Sequence, residues 1–182
     1  ALLADGQDVG RVAIAGESAG ANLAVATLVA IARAGLPQPS SAVLLSPWVD
    51  LAATGESITA KADTDPIITA TAIVVRARDY LNGADASDAL VSPIHANLAG
   101  LPPLLIQVGS HEVLLDDAIR LAARAAHDDV AVTLEVVPGV THVFQAFAAH
   151  LDEGEAALVR AGAFLRGHIA AAADEDEGQE QK

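Results

Sequence analysis

The sequence predicts an α/β fold in which a mostly parallel sheet is covered by helices. Apolar runs of four to eight residues, the length of buried strands, alternate with longer segments rich in helix-forming residues. Such alternation favours parallel pairing through right-handed helical crossovers. A composition of 52% hydrophobic and 19% charged residues indicates a packed globular domain rather than a disordered chain.

The first half of the chain contains two predicted strands and two predicted helices. Residues 12–15 form a short apolar run between glycines, which is typical of a strand buried on both faces. Helix formers dominate residues 19–34, and a second apolar run covers residues 42–45. After a stretch of turn residues, a helix is predicted over residues 69–81, with Asn82 in its cap.

The second half repeats this pattern. Two prolines precede an apolar strand at residues 104–109, and acidic residues open a helix at residues 116–128. Alternating side chains predict a fourth strand over residues 130–137, followed by a last helix over residues 152–172. Residues 173–182 are nearly all polar or charged and are expected to form a disordered tail.

Residues 1–172 are therefore expected to form one domain, but an incomplete one. Four strands are few for a parallel sheet, and the first begins close to the N-terminus. The chain contains no methionine, and its first residues lack the basic start of a secretory signal. We expect the chain to be the C-terminal part of a longer cytoplasmic protein.

Composition excludes several functions. A formal charge of −14 repels nucleic acid, and the absence of cysteine excludes disulfides, thiol nucleophiles and thiolate-bound zinc. The longest apolar stretch, residues 19–32, is shorter than the roughly 20 residues that a membrane span needs. The expected partner is a small molecule.

The pentapeptide Gly-Glu-Ser-Ala-Gly lies where the first strand meets the first helix. A serine in such a tight turn has a strained backbone, while small residues at Gly16 and Gly20 let the strand and the helix pass closely. Its hydroxyl would lie above the carboxyl edge of the sheet, where open α/β sheets bind ligands. We predict that Ser18 is a nucleophile; the alternative is that it only caps the helix.

A nucleophilic serine needs a base, and the sequence has six histidines. His142 follows the fourth strand directly, so it reaches the same sheet edge as Ser18. The others lie on loops or helices with polar neighbours, where a solvated histidine is usual: His95, His111, His127, His150 and His168. We predict that His142 is the base; a loop histidine bonded only to backbone is the alternative.

The loop after the third strand holds three candidates for the carboxylate that orients the base. Asp116 and Asp117 begin a helix and are typical first-turn residues. Glu112 follows the strand by three residues, where a side chain can turn inward, and is the predicted acid. His111 beside it does not indicate a metal site, because no second histidine follows at the required spacing.

From about residue 12 to residue 169 the chain resembles the bacterial hormone-sensitive-lipase-like esterases of the α/β-hydrolase superfamily. Seven segments carry the resemblance in order: Gly-Glu-Ser-Ala-Gly (16–20), Leu-Ser-Pro-Trp-Val-Asp (45–50), Asp-Pro (65–66), Ser-Pro-Ile (92–94), Gly-Leu-Pro-Pro-Leu-Leu-Ile (100–106), Gly-Ser-His-Glu-Val-Leu-Leu-Asp-Asp (109–117) and His-Val-Phe-Gln (142–145). Several motifs in order are far more specific than one. The resemblance implies the C-terminal portion of an α/β-hydrolase fold.

What the resemblance implies about function is hydrolysis of short- to medium-chain carboxylic esters without a cofactor. By position, Ser18 matches the family's nucleophile and His142 its base. Trp48 and Phe144 are candidates for the pocket wall by family position; the alternative is that each is a core residue. Glu112 stands where the family usually has aspartate. Its carboxylate is one methylene longer and accepts the same hydrogen bond.

The resemblance also implies donors for the developing oxyanion. The family's upstream His-Gly-Gly motif does not occur in this chain, so only the N–H of Ala19 can be assigned. We therefore expect the isolated chain to be an impaired enzyme. An amide or peptide hydrolase with the same three residues, and a non-catalytic small-molecule receptor on the same fold, are the alternatives; the oligomeric state is not predicted.

Overall fold

The computed structural model describes residues 6–179, and their side chains up to residue 169. Its centre is a sheet of four strands that lie side by side in chain order: β1 (Ala13–Glu17), β2 (Ser41–Leu45), β3 (Leu104–Gly109) and β4 (Val132–Val137). Every neighbouring pair is parallel. The predicted parallel α/β architecture is confirmed.

Helices lie between the strands in the chain. In the described part they are α1 (Ala19–Arg33), α2 (Ser57–Ala60), α3 (Ala70–Leu81), α4 (Leu115–His127) and α5 (Asp152–Gln179). The Thr69 hydroxyl caps α3 by accepting from Ala72 N, and Asn82 ends the helix in the left-handed conformation. The single-turn helix α2 was not predicted from the sequence.

Several element boundaries differ from those predicted, and two of the differences have a physical explanation. Strand β4 begins at Val132 rather than at residue 130, because Val130 N bonds to Ala125 O and so closes the end of α4. Helix α5 continues to Gln179, so the expected disordered tail is helical over residues 173–179. Alanine and glutamate have high helix propensity, which accounts for this extension. Residues 180–182 lie outside the described part.

The core lies on both faces of the sheet. Alternate side chains of β2 and β3 point to opposite faces, as the strand period requires. On one face Leu44 and Ile106 pack against α1 and α4, whereas on the other Val43 and Leu105 pack against Ala161 of α5. Each fully buried leucine or isoleucine contributes about 1.5–3 kcal/mol relative to its exposed state. The carboxyl ends of the strands are thereby held at one edge.

A search of the described helices for a membrane-spanning segment finds no candidate of sufficient length and hydrophobicity.

A buried ionic network ties the segment after β2 to α4. The Asp117 carboxylate accepts from Val49 N at 2.9 Å and from Asp50 N at 3.0 Å. Arg120 Nη2 donates to Asp117 at 2.8 Å and to Asp50 at 3.0 Å. Both carboxylates are almost completely inaccessible to solvent. This network therefore fixes residues 49–50 relative to the start of α4.

The two carboxyls of the network have opposite pKa shifts. Burial raises the pKa of Asp117 to about 6, although Arg120 and the two backbone donors oppose the increase. Burial acts in the same direction on Asp50, but hydrogen bonds from Thr54 and Arg120 outweigh it and hold the pKa of that carboxyl below its ordinary value. Of the two carboxyls, Asp117 therefore has the higher pKa and binds a proton first as the pH falls.

We expect Asp117→Asn to alter how the melting temperature changes with pH. Between about pH 4 and pH 6, folded Asp117 binds a proton that the unfolded chain does not bind, so its stabilising contribution is lost as pH rises. The melting temperature of the wild type relative to that of Asp117→Asn should therefore fall across this interval. Thermal unfolding of the full-length protein at several pH values measures it, with the exposed Asp63→Asn as control. A difference in melting temperature between wild type and Asp117→Asn that does not change with pH would contradict the prediction.

Candidate active site

Ser18 lies in the turn between β1 and α1. Its backbone has φ 50° and ψ −119°, a conformation that residues other than glycine rarely adopt. Two hydrogen bonds support this turn: Ser18 N donates to Leu45 O at 2.9 Å, and Trp48 N donates to Ser18 O at 3.2 Å. Within the described residues the Ser18 hydroxyl makes no capping bond to α1, so helix capping does not explain this serine.

The two glycines of the pentapeptide have different roles. A Cβ atom at Gly16 would lie 2.3 Å from the carbonyl oxygen of Gly20, so the close passage of β1 and α1 requires glycine at position 16. A Cβ atom at Gly20 would meet no described atom within 4 Å. At the close passage, Gly20 therefore contributes its backbone, and Gly16 contributes the absence of a side chain.

His142 and Glu112 form a buried pair at the same edge of the sheet. His142 Nδ1 lies 2.8 Å from Glu112 Oε2, and the two residues are 5% and 0% exposed. Because an ionised carboxylate only accepts hydrogen bonds, the proton of this bond belongs to Nδ1. In the neutral imidazole of this tautomer, Nε2 carries no proton and can accept one.

The Glu112 carboxylate has two further donors. Its Oε1 accepts from Gly109 N at 2.6 Å and from the Ser46 hydroxyl at 2.9 Å. The competing carboxylates point elsewhere, since Asp116 accepts from Ser57 N at 2.8 Å and Asp117 belongs to the ionic network. Of the three candidate acids, the structure places only Glu112 against the histidine.

Gly109 brings the end of β3 close to the histidine loop. A Cβ atom at this glycine would lie 2.3 Å from Val140 O, a separation that no side chain tolerates. The Gly109 N–H also reaches the Glu112 carboxylate, so this position serves both the acid and the loop that carries His142. The requirement for glycine here was not recognised from the sequence.

The segment that leaves β2, residues 45–48, contacts all three candidate residues or their immediate neighbours. We call it the β2 exit segment. Leu45 and Trp48 bond to the backbone of Ser18, and the Ser46 hydroxyl bonds to Glu112 and accepts from Val143 N at 3.0 Å. Among the described residues no hydrogen bond joins Ser18 Oγ to His142, so Ser18 and His142 are related through this segment.

Ala19 is the first residue of α1, where backbone N–H groups have no partner within the helix. It also lines a cavity of about 310 Å³ next to the turn. The remaining lining residues come from α1, from the segment after β2 and from α3: Asn22, Leu23, Trp48, Leu51, Arg76 and Tyr80. An anionic oxygen close to Ser18 would therefore find both a free donor and an apolar pocket beside it.

The two expected pocket residues have different surroundings. Trp48 lines the cavity, and its indole Nε1 donates to Asp50 O at 3.2 Å. Phe144 instead packs in a hydrophobic cluster with Val140 and Ala157 and is completely buried, so its assignment to the pocket wall is wrong for the described cavity. Arg76 and Tyr80 were not recognised from the sequence because α3 carries no motif.

The remaining histidines form no metal site with neighbouring carboxylates. In the part of the chain that the structure describes, no group of three or more metal-binding side chains lies close together. His168 Nδ1, for example, lies 2.9 Å from Phe164 O in the same helix. His142 is therefore the histidine that the fold combines with a buried carboxylate.

Comparison with known proteins gives a consistent result. A family model described as the alpha/beta hydrolase fold matches residues 2–146. An acetyl-hydrolase of Streptomyces hygroscopicus is 47% identical over 91% of this chain and 55% of its own length. An esterase of Acinetobacter venetianus is 37% identical over 87% of this chain and 52% of its own length.

Solved structures agree with these relatives. The crystal structure of an esterase from the bacterial hormone-sensitive lipase family superimposes with a TM-score of 0.90 at 48% identity. The match covers 92% of this chain and 57% of that one. The chain thus spans about half the length of the relatives it matches. On its sequence and its fold, the chain belongs to the α/β-hydrolase family, among the bacterial hormone-sensitive-lipase-like esterases.

Proposed function

We propose that the protein containing this chain is a serine carboxylesterase that uses Ser18, Glu112 and His142. The observation that carries the proposal is the buried 2.8 Å contact between His142 Nδ1 and Glu112 Oε2, at the sheet edge where Ser18 occupies a strained turn. A histidine held in this tautomer is suited to accept a serine proton. The names of the relatives, acetyl-hydrolase and esterase, support the same reaction class.

In the proposed mechanism the Ser18 oxygen attacks the ester carbonyl while His142 Nε2 takes the hydroxyl proton. The carbonyl oxygen becomes an oxyanion that accepts from Ala19 N–H, and Glu112 stabilises the imidazolium. Collapse of the intermediate transfers the proton to the leaving alcohol and leaves an acyl-enzyme. A water molecule then repeats these steps, releasing the carboxylic acid and restoring Ser18.

The cavity beside Ser18 supports short- to medium-chain esters as substrates. Its volume of about 310 Å³ lies at the lower end of the range for small-molecule pockets. Most of its wall is apolar, contributed by side chains such as Leu23, Trp48 and Leu51. An acyl chain of a few carbons would bury its apolar surface there.

We expect Ser18→Ala to abolish esterase activity of the full-length protein. Loss of a serine nucleophile lowers kcat by about 10⁴- to 10⁶-fold, because no acyl-enzyme can form. Release of p-nitrophenol from short-chain esters measures the activity, and an organophosphonate should label Ser18 covalently.

The control for this experiment is Ser87→Ala, which changes an exposed serine in a turn and should leave both activity and labelling intact. If Ser18→Ala retains turnover, or if the label maps to another residue, the proposed nucleophile is wrong. A protein that binds short esters but neither hydrolyses them nor reacts with the phosphonate would instead be a receptor.

Replacing each carboxylate in turn distinguishes the catalytic role proposed for Glu112 from the role of Asp116. We expect Glu112→Gln to lower kcat by about 10²- to 10⁴-fold, because an amide no longer enforces the required histidine tautomer. Asp116→Asn should change kcat by less than about tenfold, since its only described role is to accept from Ser57 N and an asparagine oxygen can do the same. Steady-state kinetics of both variants, with circular dichroism to verify folding, provides the test. The reverse order of effects would disprove the assignment of the acid.

A further inference from the structure

Ser46 is completely buried directly after β2, and its hydroxyl contacts two distant parts of the chain. Its Oγ lies 2.9 Å from Glu112 Oε1 and 3.0 Å from Val143 N. Val143 is the residue after His142. One hydroxyl group thus bonds both to the proposed acid and to the backbone beside the proposed base.

The direction of these two hydrogen bonds follows from their chemistry. A backbone N–H can only donate, so the Ser46 oxygen accepts from Val143 N. The hydroxyl has a single proton, which is then directed to Glu112 Oε1, because an ionised carboxylate can only accept. Neither contact can reverse without leaving a buried group unpaired, so the orientation of the hydroxyl is fixed.

This arrangement fixes the plane of the carboxylate. One oxygen of Glu112 is occupied by Ser46 and by Gly109 N, which leaves the other oxygen for His142. Rotation out of this plane would break two hydrogen bonds inside a buried site. Ser46 therefore restricts the acid to the orientation in which it can hold the histidine.

The same hydroxyl restrains the backbone that follows His142. Val143 has φ 48°, an unfavourable conformation for a β-branched residue, and such strain persists only where surrounding contacts maintain it. The bond from Val143 N to Ser46 is one of these contacts. A change in this turn would redirect the imidazole, because His142 is the preceding residue.

We propose that Ser46 is a positioning residue for the esterase reaction, acting on both Glu112 and His142 through a single hydroxyl. This inference depends on the proposed function. Ser46 does not touch the substrate, and it does not line the described cavity beside Ser18. Loss of its hydroxyl should therefore affect the chemical step rather than substrate binding.

The test uses Ser46→Gly and Ser46→Ala in the full-length protein. Ser46 itself has φ 45°, a conformation that glycine adopts without strain, so the glycine variant removes the hydroxyl with little backbone cost. We expect kcat to fall by about 10- to 100-fold, which corresponds to the loss of a hydrogen bond to a charged group, while KM changes by less than about twofold. If the glycine variant does not fold, the alanine variant supplies the same comparison.

A double-variant cycle separates positioning from a general structural effect. In a Glu112→Gln background, Ser46→Gly should cost less activity than in the wild type, because one of the two groups that it orients has been replaced and only the backbone beside His142 still depends on it. A purely structural effect would lower kcat by the same factor in both backgrounds. The matched control is Ser41→Ala, which changes another completely buried serine at the opposite end of β2. The Ser41 hydroxyl has no hydrogen-bond partner among the described residues, so kcat should not change.

The outcomes distinguish this inference from the proposed function. If Ser18→Ala abolishes activity but Ser46→Gly retains wild-type kcat, the inference is wrong and the function stands. Equal losses in both backgrounds would also overturn it. If Ser18→Ala leaves turnover unchanged, the proposed function fails and the inference fails with it.

Discussion

The hydrogen bonds of the β2 exit segment are the constraint on which the rest of the site depends. The strands are parallel and in chain order, so the turn after β1 and the loop after β3 both adjoin β2. Leu45 and Trp48 hold the backbone of Ser18, while Ser46 reaches the acid and the histidine loop. Residues far apart in the chain are thus all positioned by hydrogen bonds to this segment.

Three of the six described non-glycine residues with positive φ lie where these contacts converge. Ser18, Ser46 and Val143 all have positive φ, although none is glycine, and each lies at or beside a site residue. Each such residue costs on the order of 1–3 kcal/mol, which only a surrounding structure of well-satisfied bonds can offset. Here the compensation comes from backbone hydrogen bonds and from the Ser46 hydroxyl. The chain therefore holds these side chains in directions that a relaxed backbone would not give.

The sequence predicts the parts of the site that have local signals. The glycine–serine pentapeptide indicates the turn at Ser18, and the loop after a strand indicates His142, because both depend on neighbours in the chain. The sequence also favours Glu112 over Asp116 and Asp117, because those two residues begin a helix. The contacts that support this choice, from His142 to Glu112 and from Ser57 to Asp116, are visible only in three dimensions.

The features that could not be predicted depend on long-range contacts. Ser46 lies 66 residues from Glu112 and 97 from Val143, and a serine before a proline looks like an ordinary strand end. Gly109 is likewise required because of a carbonyl contributed by a later loop. The end of α5 is a different case, because residues 173–179 combine high charge, which favours disorder, with alanine and glutamate, which favour a helix.

The order of the strands also has a consequence for biosynthesis. Because each strand pairs with the one made just before it, the described sheet can be assembled from β1 to β4 while the chain is being synthesised. Ser18 is made first and His142 last, after β4. A nascent chain that has not yet reached residue 142 therefore has the proposed nucleophile and the proposed acid but not the proposed base. Under the proposed mechanism, the group that activates the serine is added only after β4 has been made.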